Sequence, residues 1–312
     1  MSGEPLLTVA GITCAYGGIV AVRDLSFQVG EAEIVALLGP NGAGKSTALR
    51  AISGMRRADR GQIIFAGQRI ERWPSDRIAR AGIALVPEGR RLFTELSVEE
   101  NLRMGGIAVE GPDLDARIAE ICQTFPILAA RRGQRAGTLS GGEQQQLAIA
   151  RALVSRPRLL IIDEMSLGLS PMVVAQLYRT VREINQAGTA ILLVEQQVAL
   201  AVTIAERVYV MERGQVKEEG PAQSFRDAAK VTGSYLGDAP GDGGAAALNN
   251  EERVVELLYL PLKPGQARKL QQLARDRGKS VAEVVADAVE SYLDGFKPGP
   301  KPARSSAPRS RR

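Results

Sequence analysis

Nine consecutive residues, Gly39-Pro40-Asn41-Gly42-Ala43-Gly44-Lys45-Ser46-Thr47, combine backbone freedom, a cation and two hydroxyls in the order that phosphate chemistry needs. Glycines let successive backbone N–H groups converge on a phosphate. Lys45 supplies a mobile cation for the terminal phosphates, and Ser46 offers a hydroxyl of the kind that ligates magnesium. The stretch follows the apolar run Ile34–Leu38 and opens into a helix expected over 46–53. That is the strand–loop–helix setting of a phosphate-binding loop. The helix start adds unpaired N–H groups and the positive end of its dipole. The spacing predicts a bound nucleoside triphosphate.

The chain has no histidine. The commonest general base and the commonest metal ligand are therefore missing, and hydrolytic chemistry must run on carboxylates, amides and a hydrated metal ion. Two acids stand ready at Asp163-Glu164, closing the apolar run Leu159–Ile162. Such a run reads as a buried strand whose carboxylates emerge at its C-terminal end, where open α/β sheets bind ligands. Upstream, Leu139-Ser140-Gly141-Gly142-Glu143-Gln144 forms a second glycine-bearing, phosphate-seeking helix start.

Around these motifs the pattern predicts short strands over 6–10 and 24–29, with Tyr16-Gly17-Gly18 between them. A strand over 62–65, a helix over 75–81 and a strand over 83–86 follow, the last ending in Pro87-Glu88-Gly89. Residues 97–132 read as mostly helical, with Ser97 as N-cap and Glu100 three residues on. A further helix ends near Ser155, and another runs to Ala187 and stops at Gly188. A strand over 189–194 leads into Glu195-Gln196-Gln197, and a terminal hairpin turns at Arg213-Gly214. Alternating strands and helices with buried apolar strands predict a mostly parallel α/β sheet.

The order of phosphate loop, second glycine-rich helix start and acid-terminated strand resembles the nucleotide-binding subunit of ABC transporters, over residues 5–237. The fold implied is α/β, a P-loop cassette with a mostly parallel core sheet, an antiparallel β subdomain and a helical subdomain. The resemblance implies that Gly39–Thr47 is the Walker A loop and Leu139–Gln144 the signature motif. It likewise implies that Ser46 and Asp163 hold Mg²⁺, that Glu164 polarises the attacking water, and that Tyr16 stacks on adenine. Val86-Pro87-Glu88-Gly89 places Glu88 where most of the family has a glutamine, and Val194-Glu195-Gln196 places Gln196 where most have a histidine. With Ser166-Leu167-Gly168-Leu169, these variants resemble branched-chain amino-acid importer ATPases of the LivF-like type and their urea or amide relatives. Glu164 and Gln196 would be the catalytic pair, ATP and Mg²⁺ the ligands, and the pH–rate profile would lack an imidazole limb. Met165 and Ser170 depart from the subfamily, which has proline and aspartate there, and this leaves turnover open while binding stands.

In that family the signature loop serves the partner's nucleotide, so the resemblance implies a second ATPase subunit, identical or homologous. It also implies membrane permease subunits, reached near Glu88 and segment 90–130, and indirectly a solute-binding protein. No apolar run reaches the ~18 residues of a membrane span, and Met1–Pro5 lacks the basic and apolar regions of a signal peptide. A peripheral place on the cytoplasmic membrane face is expected. Cys14 and Cys122 are far apart and read as apolar fillers in a reducing compartment.

The net charge of +5 resides in the acid-free tail, where Lys297, Lys301, Arg304, Arg309, Arg311 and Arg312 fall; the rest is near neutral. A Gly/Ala-rich linker is expected over 238–250 and a strand–helix–turn–helix unit over 251–294. That unit resembles a ribbon–helix–helix fold, and its apolar outward strand residues Leu257, Tyr259 and Pro261 favour dimerisation over reading DNA. Residues 295–312 read as a disordered basic tail that anionic lipid could attract. The competing readings are a soluble ABC ATPase acting on nucleic acid through the C-terminal unit, and a nucleotide-gated regulator that turns over slowly.

Overall fold

The computed structural model describes residues 4–106 and 114–231, with four isolated positions beyond, at 272, 273, 276 and 277. The chain divides into units over 1–242 and 243–312. The expected linker, ribbon–helix–helix unit and basic tail fall, but for those four positions, outside the described residues.

Among the described residues, the first unit contains ten strands: β1 (Leu7–Tyr16), β2 (Ile19–Val29), β3 (Ile34–Leu38), β4 (Arg60–Phe65), β5 (Gln68–Arg69), β6 (Ile83–Val86), β7 (Leu159–Asp163), β8 (Ala190–Glu195), β9 (Arg207–Glu212) and β10 (Gln215–Pro221). Its helices are α1 (Lys45–Ile52), α2 (Ser75–Arg80), α3 (Val98–Gly105), α4 (Leu114–Thr124), α5 (Pro126–Ala130), α6 (Gly141–Leu153), α7 (Pro171–Gln186), α8 (Val198–Ala201) and α9 (Ala222–Val231). One sheet is antiparallel, in the order β2-β1-β4-β5; the other runs β10-β9-β3-β8-β7-β6. In the second sheet β9, β3, β8, β7 and β6 pair in parallel, and β10 closes the edge antiparallel. The mostly parallel core sheet and the antiparallel subdomain are as the sequence leads one to expect.

Strands β3, β7 and β8 are buried along their whole length, which is why they read as unbroken apolar runs rather than alternating ones. Alternation survives in the packing. Ala36, Leu38, Ile162, Ile191 and Leu193 face the core shared with α3, α4, α6 and α7. Val35, Leu37, Ile161, Leu192 and Val194 face α1 and the antiparallel sheet. The core sheet therefore welds the two subdomains together.

Strands β1 and β2 are longer than the sequence pattern suggests. Their ladder shifts register between Val9 and Cys14, where Gly11 and Asp24 take left-handed backbone. Such bulges break the two-residue period on which strand reading depends. The expected helical stretch 97–132 resolves into α3, α4 and α5, and α3 carries the predicted capping box of Ser97 and Glu100. Cys14 and Cys122 are buried and unbridged, and burial pushes both thiols up.

Asn101 in α3 is fully buried and fastens the segment between β6 and α3. Its Nδ2 donates to the carbonyls of Phe93 and Ser97, each at 2.9 Å, and its Oδ1 accepts from the Phe93 N–H at 3.0 Å. Replacing it by Asp keeps the shape but sets a carboxylate against carbonyl oxygens. We expect Asn101→Asp to cost about 2–4 kcal/mol, lowering the thermal midpoint by roughly 5–10 °C. A melting scan that finds no loss would show that this clamp contributes nothing.

Candidate functional site

The parallel pairing of β3, β6, β7 and β8 carries their C-terminal ends to one edge of the sheet. Each end delivers one predicted element: the Gly39–Thr47 loop, Glu88, Asp163-Glu164 and Gln196. In the loop, Gly44 caps α1 with φ 101°, and a Cβ there would come within 2.5 Å of the Ala21 carbonyl oxygen. Only glycine meets both demands. Among the described residues, the N–H groups of Gly44, Lys45, Ser46 and Thr47 meet no acceptor. Four free amides at a helix start form an anion receptor. The buried Lys45 Nζ donates to the carbonyls of Gly39 (2.7 Å) and Pro40 (3.2 Å), and lies 3.7 Å from Glu164 Oε1.

Asp163 closes β7 and is nearly inaccessible. Burial pushes it up to about 6, helped by the charges of Glu164, Glu88 and Glu195 and opposed by Lys45. Its Oδ1 is buried with no hydrogen-bond partner among the described residues. An orphaned anionic oxygen in this setting is what a hard divalent cation would satisfy. Among the described residues no group of three or more His, Cys, Asp or Glu could hold a metal, so such an ion would depend on hydroxyl, phosphate and water oxygens as well. The shift has a second consequence. It places a carboxylate ionisation near the pH where an imidazole titrates, so a pH–rate limb near 6 in this histidine-free chain would not require histidine.

Glu164 turns the chain off the strand with left-handed backbone, φ 49°, while its N–H donates to the Val194 carbonyl at 2.9 Å. Gln196 Nε2 donates to Glu164 Oε1 at 2.6 Å. The catalytic pair expected from the sequence is thus in contact. Glu88 is exposed on its loop, near enough for its charge to reach Asp163. Met165 is completely buried in the helical-side core.

Tyr16 ends β1 with 41% of its surface exposed, and the Arg56 guanidinium lies over its ring at 4.1 Å. Burial pushes its hydroxyl up, but hydrogen bonds from Arg50 and Thr47 and the nearby arginine charges outweigh that and leave it below its ordinary value. One ring face is therefore covered by Arg56.

Leu139–Gln144 makes no hydrogen bond to the phosphate loop among the described residues. Ser140 caps α6 in a box with Glu143, a signal present in the sequence as Ser-x-x-Glu. Gln144 accepts from Arg90 at 3.0 Å, and Glu143 pairs with Arg131 at 3.1 Å. Gly141 faces Arg90 and Leu169, and Gly142 faces Val173. Sequence reasoning missed Arg90 as the tie between the Glu88 loop and this helix start. It also missed Glu195, which is buried in β8.

A receptor of free amides beside a buried lysine, and a second capped helix start on the same unit, define an ATP-binding cassette. The family model described as ABC transporter matches residues 22–166. The chain is 43% identical over 232 residues to the branched-chain amino-acid transport ATP-binding protein BraG of Pseudomonas aeruginosa, covering 74% of this chain and all of that protein. It is 32% identical over 253 residues to the branched-chain amino-acid transport ATP-binding protein LivG of Escherichia coli, covering 76% of this chain and 99% of that protein. A crystal structure of the ADP conformation of an ABC-transporter cassette superposes with TM-score 0.69 at 25% identity, covering 76% of this chain and all of that one. The chain belongs to the ABC transporter family of ATP-binding proteins, which hydrolyse ATP to power transport.

Raising Asp163 from its ordinary 3.8 to about 6 makes the folded state the better proton acceptor. Its stability contribution is full below about pH 4 and is lost as pH rises through about 6, up to roughly 3 kcal/mol. Without nucleotide or Mg²⁺, Asp163→Asn should melt several degrees above wild type at pH 7.5, with the gap narrowing toward pH 5. Equal midpoints across that range in a melting series would contradict the buried-charge reading.

Proposed function

We propose that this chain is the ATP-hydrolysing subunit of an importer for branched-chain amino acids or related polar solutes, of the LivF-like type. The solute assignment is supported by identity to BraG across that protein's full length. The observation that carries the hydrolytic part is Glu164, held between Lys45 and Gln196 at the mouth of the amide receptor. The phosphates of ATP would take the free N–H groups of Gly44–Thr47, and the Gly39–Gly42 segment would wrap them. Lys45 would exchange its two carbonyl partners for phosphate oxygens, leaving Glu164 Oε1 free to accept a hydrogen bond from water. Gln196 keeps the carboxylate aimed and can donate to phosphate or water, although it never becomes a cation. Adenine would stack on the partly exposed ring of Tyr16.

Ser46 and Asp163 would hold Mg²⁺, with Glu88 in reach of the ion or its water. When bound, the ion supplies charge neutralisation to the phosphates and a fixed oxygen geometry.

The signature residues have no nucleotide of their own to serve. Ser140 Oγ accepts from the Glu143 N–H and keeps its own proton to donate, and Gly141 and Gly142 let a phosphate approach. A second ATPase subunit, packed head to tail, would complete both sites. Exposed Leu167 (57%) and Met172 (77%), beside Ser170 at the start of α7, supply apolar surface for that contact. Among the described residues no helix is long and apolar enough to cross a membrane. Permease subunits would provide the path, a solute-binding protein the specificity, and this chain would sit on the cytoplasmic membrane face.

In a steady-state ATPase assay, Glu164→Gln should lower kcat by about a hundredfold or more while ATP affinity stays within about threefold. Turnover equal to wild type would remove Glu164 from catalysis.

A further inference from the structure

We propose that Glu195, which no step above uses, is a positioning residue for hydrolysis. Its carboxylate fixes the segment after Glu164 to the end of the strand that carries Gln196. The inference rests on the assignment of Glu164 and Gln196 as the hydrolytic pair.

Glu195 ends β8 with 2% of its surface exposed. Its Oε1 accepts the Ser166 N–H at 3.2 Å and the Tyr178 O–H at 3.4 Å, and its Oε2 accepts the Ser166 hydroxyl at 3.1 Å. Both oxygens are thus spent on donors from two other elements, and one of these, Ser166, stands two residues beyond Glu164. An apolar side chain would fill the same space without the desolvation that a buried carboxylate incurs. What it could not do is hold the Ser166 backbone.

That hold matters because Glu164 leaves β7 in a left-handed conformation that a non-glycine residue keeps only when its surroundings enforce it. On its strand side, Glu164 is enforced by its N–H bond to Val194. On its far side, Met165 is packed in the core, and the next polar hold on the backbone is the Ser166–Glu195 pair. Three consecutive residues of β8 and its end thus grip the turn: Val194 at Glu164, Glu195 at Ser166, and Gln196 at the Glu164 carboxylate. The same turn continues to Leu169, which packs against Gly141 at the start of α6. Loosening Glu195 would let the carboxylate drift from its aim while the amide receptor for phosphate, built on β3 and α1, stays whole. A shift near 1 Å at a reacting group costs on the order of a hundredfold in rate.

The test is basal ATPase kinetics on the full chain, with ATP affinity and melting measured alongside. Glu195→Leu should lower kcat by about tenfold or more with KM for ATP within about twofold, and Ser166→Ala should lower it by about threefold. Glu195→Gln should recover most of the loss, since its Oε1 still accepts the Ser166 N–H and its amide can donate to the Ser166 hydroxyl. Should Glu195→Leu fail to fold, Ser166→Ala, a single hydroxyl deletion, carries the test. The proposal is overturned if Leu and Ala variants both keep kcat within about twofold of wild type, or if kcat, affinity and thermal midpoint fall together in Ser166→Ala. Glu164→Gln run in parallel separates the causes. If it is inactive while the Glu195 and Ser166 variants are normal, only this inference fails; if it is fully active, the hydrolytic assignment beneath it fails too.

Discussion

A buried ammonium must find oxygen, and a buried carboxylate must find a donor or a cation. At the C-terminal edge of the core sheet both demands meet within one shell. Lys45 is held by two loop carbonyls and faces Glu164, while Asp163 stands close by with an unpartnered oxygen and an acidity displaced by burial and neighbouring acids. More negative charge is gathered there than the lysine can balance. The resting protein is therefore electrostatically incomplete, and the polyphosphate and cation that would complete it would also redistribute its hydrogen bonds. Stability is given up at Asp163 for that purpose, as active sites commonly require.

The fold makes this concentration of charge possible. Four parallel strands end at one edge, so residues far apart in the chain arrive together without long loops. Two hydrophobic cores, one on each face of the sheet, keep those strand ends from moving independently. The signature helix start belongs to the helical-side core, tied to the Glu88 loop by Arg90. On the proposed reading, that separation is the reason the cassette needs a partner.

Much of this was legible in the residues alone. The phosphate loop, the acid-terminated strand and the capped helix starts are local signals, set by backbone freedom and by spacing along a few residues. Buried strands gave themselves away as apolar runs closed by glycine or acid. The bulged β1–β2 hairpin was not legible, because Gly11 and Asp24 break its period. Nor were Asn101, Arg90 and Glu195. Each looks like an ordinary polar residue in the sequence, and its significance comes from partners that only folding brings close: Phe93 across a loop, Gln144 across 54 positions, Ser166 from the turn after the neighbouring strand. The raised pKa of Asp163 is likewise a property of burial and of neighbours rather than of residue type.

Calorimetric titration of the full chain with ATP in the presence of Mg²⁺, for wild type and Lys45→Ala, probes the charge balance most directly. Saturable binding by wild type and an affinity loss of about tenfold or more in the variant, at least about 1.4 kcal/mol, is the expected result. Equal affinities, or no binding by wild type at millimolar nucleotide, would contradict the assignment of this edge as the ATP site.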